Sequence, residues 1–266
     1  MQYTQQAAAV TAEVNKAVQG KQQTVNTIWM AMLAGGHVLI EDIPGVGKTT
    51  LALAFARALG EYGATSMIAG YTPGKTATIA TTVYQLWRTN DEAGAMRWVL
   101  VDIVISSVVL LAVDLMPSDV TGTNIIVKEE KKSAFRFEKG PIFANLVLAD
   151  EINRTSSRTQ SALLEVMEEG TVTVDGVTRP VPAPFTVIAT QNPIGAAGTQ
   201  MLPQSQLDRF MVCAVMGYPD EEAELAILAG QSKGRLLDRV RPVAGQADLL
   251  AMQQEVSTVF VHELMY

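Results

Sequence analysis

Along residues 5–33 apolar side chains fall at helical spacing, with Val10, Val14, Val18, Val25, Ile28, Met32 and Leu33 set among polar positions and the run broken at Gly20. Two helices are predicted there. The pattern then changes. His37–Ile40 is a short apolar run with β-branched members, and it leads through Glu41–Thr50 into a second helical pattern carried by Leu51, Phe55, Ala58 and Leu59. Gly60 supplies a C-terminal stop. The order is strand, glycine-rich turn, helix.

The same alternation returns downstream. Asn145–Ala149 reads as a fully buried strand ending in Asp150 and Glu151, followed by a helix over Thr159–Glu169 with Leu163, Leu164 and Met167 on one face. Thr171–Val174 and Val177–Val181 flank Asp175-Gly176, a dipeptide that tolerates the positive φ of a type I′ hairpin turn. Phe185–Ala189 is a third apolar strand leading into Thr190–Pro193, and Met211–Met216 is a further strand in which Cys213 is expected to face the core. Repeated strand–helix units imply a mainly parallel sheet covered on both faces, hence an α/β fold.

Composition narrows the function class. The 266 residues hold 20 Lys+Arg against 27 Asp+Glu, a formal net charge of −7, so the basic surplus expected of a nucleic-acid clamp is missing. Only 18% of residues are charged and 48% are hydrophobic, against roughly 25% charged in soluble domains, so some stretch must be unusually apolar. One cysteine excludes a disulfide framework and a Cys-based zinc site, and His37 and His262 lack companions for a metal site. With no basic region followed by an apolar one at the N-terminus, a cytoplasmic location is expected.

The chemistry concentrates in Pro44, Gly45, Val46, Gly47, Lys48, Thr49 and Thr50. Backbone N–H groups of such a turn, at the positive end of a helix dipole, are unpaired donors that cradle phosphate oxygens. In that role Lys48 neutralises the β- and γ-phosphates and Thr49 holds Mg²⁺. The strict pattern has glycine where this chain has Asp42. Asp150 and Glu151 alone are equally compatible with a solvated strand end. Beside a phosphate cradle they become a metal-holding carboxylate and a base that polarises water. Asn192 is either an Asn-Pro turn or the amide that orients that water, and Arg209 is either a surface ion pair or a catalytic cation.

Glu41–Thr50, Leu146–Arg154, Ile188–Pro193 and Leu207–Phe210, in this order, resemble the MoxR family of AAA+ ATPases, as do Asp114–Thr123 and Gly140–Asn145. The resemblance covers about residues 20–60 and 115–235, and the family often carries an acid where Asp42 stands. It implies a five-stranded P-loop sheet with helices on both faces, a β-hairpin insert and a helical lid. It further implies Mg²⁺-dependent ATP hydrolysis at the subunit interfaces of a homo-oligomeric ring, a hexamer, serving chaperone-like remodelling or metal-cofactor insertion on a partner protein. Carried over by position, Lys48 and Thr49 belong to Walker A, Asp150 and Glu151 to Walker B and Asn192 to sensor 1, while Arg209 is the arginine finger acting on a neighbour's ATP. On this basis residues 1–34 are the N-terminal helices, 35–217 the ATPase core and 218–266 an incomplete lid without a sensor 2 arginine.

A second resemblance interrupts the first. Residues 56–113 are similar to the C-terminal part of a molybdate-type ABC transporter permease, making 61–113 an atypical insertion and the chain an apparent chimera. Within Trp98–Met116 the longest charge-free run, Ile103–Val113, is 11 residues, short of the roughly 20 a bilayer requires. Burying Asp102 at mid-membrane costs about 2.5–3.5 kcal/mol. Two readings stay open: a membrane contact through 98–116, or Val108–Val113 replacing the family's second strand, with 61–107 as a helical appendage. Two further functional alternatives stand beside hydrolysis: an ATP-binding product made defective in hydrolysis by the insertion and truncated lid, or a membrane-associated permease fragment fused to an ATPase.

Overall fold

Side chains along the central strands are buried on alternating faces, and these strands therefore feed two separate cores. In β1 (Val38–Glu41), Val38 and Ile40 pack on one side of the sheet and Leu39 on the other. Leu146 and Leu148 of β5 (Leu146–Ala149) and Ile188 of β8 (Thr186–Gln191) join the first side, whereas Val147, Ala149, Val187 and Ala189 join the second. Both faces are apolar because both are covered by helices. The computed structural model describes residues 3–42, 46–60, 66–67, 116–129, 132–192, 201–219, 224 and 236–259.

The first face is covered by α1 (Thr4–Ala17), α2 (Gln22–Leu33) and α3 (Lys48–Ala58). Trp29 stacks on Phe55 with ring centroids 6.2 Å apart, and Phe55 is fully buried. Truncating such a residue costs about 3–5 kcal/mol. Val240, Ala244, Leu249 and Met252 belong to the same core, the last two on α6 (Gln246–Ser257). Arg57 of α3 secures this C-terminal part by donating to the Leu237 carbonyl at 2.6 Å and to Asp238 at 2.9 Å. The second face is covered by α4 (Pro117–Thr121) and α5 (Ser157–Glu169), with Leu202 and Phe210. Ser156 caps α5 by accepting the Thr159 N–H, as its position one residue before the first helical turn favours.

Five parallel strands are described, in the order β2 (Ser66–Met67), β5, β8, β1, β9 (Val212–Ala214). The edge position beside β5 is thus occupied by Ser66–Met67, within the segment expected to form a helical appendage. Val108–Val113 lies outside the described residues, as does all but Met116 of 98–116. At the opposite edge, Cys213 is exposed, which corrects its assignment to the core. An edge strand has one ladder side and part of each face open, and the Cys213 Sγ lies 3.7 Å from Glu41 Oε2 at the end of β1. Partial burial and this neighbouring carboxylate push the thiol above its ordinary range.

The hairpin of β6 (Thr171–Val174) and β7 (Val177–Pro180) has the expected turn, with φ of 51° at Asp175 and 75° at Gly176. A second, longer hairpin has no counterpart in the sequence analysis: β3 (Gly122–Glu129) pairs with β4 (Lys132–Lys139) over eight residues each. Its base is tied to the first hairpin. Asn124 donates to Asp175 at 2.6 Å, and the Arg179 guanidinium lies 3.8 Å from the centre of the Phe137 ring.

Candidate functional site

Three strand ends, β1, β5 and β8, converge with the first turn of α3. Between β1 and α3, Val46 packs against the first core, and Gly47 stands before the helix with φ 92° and ψ 23°. Among the described residues nothing lies within 4 Å of a side chain added at Gly47, and its left-handed backbone favours glycine. Pro44 and Gly45 fall outside the described residues. Thr50 is half-buried in the first turn of α3, beside Thr49.

Lys48 opens the helix and turns inward, with 6% exposure. Its ammonium donates to the carbonyls of Asp42 and, at 3.1 Å, Gln191, and to Asn192 Oδ1 at 2.6 Å. Those acceptors use the three donors an ammonium has. Burial draws its pKa below the ordinary lysine range, against the opposite pull of Asp42, Asp150, Glu151 and Glu41. Asp42, where a glycine was expected, is itself buried, and its carboxylate accepts the Gly217 N–H.

Asp150 follows the last residue of β5. Thr49 Oγ1 lies 3.2 and 3.3 Å from its two carboxylate oxygens. At Glu151 the chain turns, with φ 52° and ψ 49°, a left-handed conformation that is costly for a residue with a side chain and concentrates at functional sites. Glu151 Oε1 accepts Asn192 Nδ2 at 2.9 Å, while Oε2 meets Arg154 at 3.0 Å. The Asn192 amide therefore bridges Lys48 and Glu151, its oxygen toward the cation and its nitrogen toward the carboxylate.

The structure thus brings together Lys48, Thr49, Asp150, Glu151 and Asn192, with Gly47 at their edge. Arg209 has different partners. It pairs with Glu168 of α5 at 2.8 Å and donates to the Ser205 carbonyl at 2.8 Å. Two buried residues at the site were missed. Thr190 donates to Asp150 Oδ1 at 2.6 Å and accepts the Glu151 N–H at 2.9 Å. Asn153 donates to the Asn192 carbonyl at 2.9 Å and accepts its N–H at 3.4 Å. The sequence signal for Thr190 was slight, a hydroxyl directly after the apolar run 187–189 in a strand that also holds Thr186 and Gln191.

The donor set fits a hard divalent cation. A threonine hydroxyl and a carboxylate already converge, and both are the oxygen ligands Mg²⁺ takes alongside substrate phosphates. The N-terminus of α3, with Lys48 in its first turn, fits an anion.

Residues 99–212 match the ATPase family associated with various cellular activities (AAA). The chain is 40% identical over 246 residues to YeaC of Bacillus subtilis, covering 92% of this chain and 63% of that one. It is 35% identical over 253 residues to the chaperone MoxR1 of Mycobacterium tuberculosis, covering 95% and 55%. A crystal structure of a candidate ATPase from Cytophaga hutchinsonii superposes with a TM-score of 0.71 at 30% identity, over 99% of this chain and 66% of that one. The chain spans between about half and two-thirds of the length of these relatives. Over 70 residues, 26% of the chain, it is also 41% identical to the molybdenum transport permease protein ModB of Escherichia coli, in keeping with the permease-like segment. By these matches the chain is similar to the ATPase family associated with various cellular activities, and to relatives that include a protein named a MoxR chaperone.

Proposed function

We propose that the chain binds and hydrolyses ATP with Mg²⁺ and uses the reaction for chaperone-like remodelling of a partner protein. The observation that carries this reading is the bridge from Lys48 through Asn192 to Glu151, beside the Thr49–Asp150 pair. It joins a phosphate-binding cation, a water-orienting amide, a base and a metal-binding pair in one place. Bound there, Mg²⁺ would offset charge on the phosphate oxygens. Thr49 and Asp150 would hold it. Lys48 and the amides of the turn at 44–50 would hold the phosphates, Glu151 would take the proton of the attacking water, and Asn192 would fix that water's direction.

Arg209 lies outside this cluster, and its proposed role is across an interface. In a homo-oligomeric ring, a hexamer by family resemblance, it would leave Glu168 and complete the site of the adjoining subunit. The net charge of −7 argues against nucleic acid as the partner. No helix among the described residues is long and apolar enough to cross a membrane, and the proposed compartment is the cytoplasm. Phosphate release measured with and without Mg²⁺, with oligomer mass determined in the same fractions, tests the reading. Metal-dependent turnover confined to the oligomer is expected. ATP binding without turnover in any fraction contradicts it.

A further inference from the structure

The ladder between β5 and β8 ends at Ala149↔Ala189, yet the chains stay together for three more residues. What holds them is side-chain chemistry. The Thr190 hydroxyl donates to Asp150 Oδ1 and accepts the N–H of Glu151, at the residue where the backbone is left-handed. The Asn153 amide does the same for Asn192, donating to its carbonyl and accepting its N–H. Thr190 is fully buried and Asn153 is 1% exposed. Each is used in both directions, as donor and acceptor, so neither can rotate without leaving a polar group at the site unpaired.

We propose that Thr190 and Asn153 are positioning residues that set the geometry of the Asp150–Glu151–Asn192 triangle, with Thr190 governing the metal side and Asn153 the amide side. Thr190 occupies one lone-pair direction of Asp150 Oδ1 and thereby orients the carboxylate toward Thr49, whose hydroxyl lies 3.2 Å from the same oxygen. Its acceptor function holds the Glu151 amide and so stabilises the strained turn from which the Glu151 side chain departs. Asn153 fixes the backbone of Asn192, so that the Asn192 side chain reaches Lys48 and Glu151 at once. The proposal rests on the reading of Asp150 as a metal-binding residue and Glu151 as the base.

The test compares wild type with Thr190→Val, Thr190→Ala and Thr190→Ser in the full chain. Two quantities are read: the affinity for a fluorescent ADP analogue as Mg²⁺ is titrated, and ATP turnover. Loss of the hydroxyl is expected to raise the Mg²⁺ concentration for half-maximal tight binding about tenfold, the equivalent of one lost hydrogen bond to a charged group. Metal-free affinity for the analogue should stay at the wild-type value, and turnover should fall at least as far. Thr190→Ser should restore both. Thr190→Ala covers the case in which valine prevents folding, and retained metal-free binding shows that each variant is folded. Wild-type metal dependence in Thr190→Val or Thr190→Ala, or loss of metal-free binding in step with metal-dependent binding, would overturn the positioning role. Should the wild-type chain itself bind nucleotide with no response to Mg²⁺, the reading of the site fails first and the positioning role with it.

Discussion

At the amino ends of β1 and β8 a buried histidine does one job, whereas at the carboxyl ends of the same strands a buried lysine shares its neighbours with several others. His37 accepts the Val187 N–H on Nδ1 at 3.0 Å, so Nε2 carries the proton and donates to the Met167 carbonyl at 3.0 Å. Both nitrogens are used by backbone, the ring edge meets Phe185, and the surroundings are apolar. Lys48 is comparably buried, but its partners Asn192 and the strand-end carbonyls lead on to Glu151, Asp150 and Thr49. Burial lowers the pKa of both groups, for the same reason. What separates the two buried polar residues is that the partners of His37 are backbone that ends the network, whereas Lys48 also meets a side chain that extends it.

The largest expected effect breaks the contrast at the lysine. Lys48→Ala should weaken ATP binding by about a hundredfold or more, the scale for removing a preorganised cation from an anion site. Calorimetric titration checks this. At the histidine the expected effect is on stability alone. A folded pKa below the unfolded value means that the unfolded chain takes up the proton first. The contribution of neutral His37 is therefore intact above pH about 6.5 and is lost as pH falls below it toward the depressed folded value. Denaturant unfolding from pH 8 to 5 should show wild type losing stability in that window at up to about 1.4 kcal/mol per pH unit more steeply than His37→Gln. The smallest effect is expected at the sheet edge. Cys213→Ser should change unfolding stability by less than about 0.5 kcal/mol, since the residue is exposed, whereas a core cysteine would cost more.

The parts of the site legible in the sequence were those fixed by covalent neighbours. Gly47, Lys48 and Thr49 are adjacent in the chain and announce a phosphate cradle, and that cradle in turn gave meaning to Asp150 and Glu151 at the end of an apolar run. Thr190 and Asn153 were not legible as a pair. Their contacts to residues 150, 151 and 192 exist only once β5 and β8 lie side by side, which brings together residues about forty apart. Cys213 was misjudged because periodicity marks a strand without saying whether that strand is central or at an edge. The β3–β4 hairpin escaped for a different reason. Its alternation is present in Phe135–Lys139, but between the paired Glu129 and Lys132 the sequence has no glycine, asparagine or proline to mark a hairpin.

Glu151→Gln tests the central claim most directly, because glutamine keeps the size and one oxygen of the side chain while removing its capacity to take a proton. Single-turnover hydrolysis and nucleotide binding measured on the same preparation should show ATP bound with wild-type affinity and cleavage slowed by about a hundredfold to ten-thousandfold. Cleavage at the wild-type rate with binding intact would contradict the account of these strand ends as a hydrolytic site.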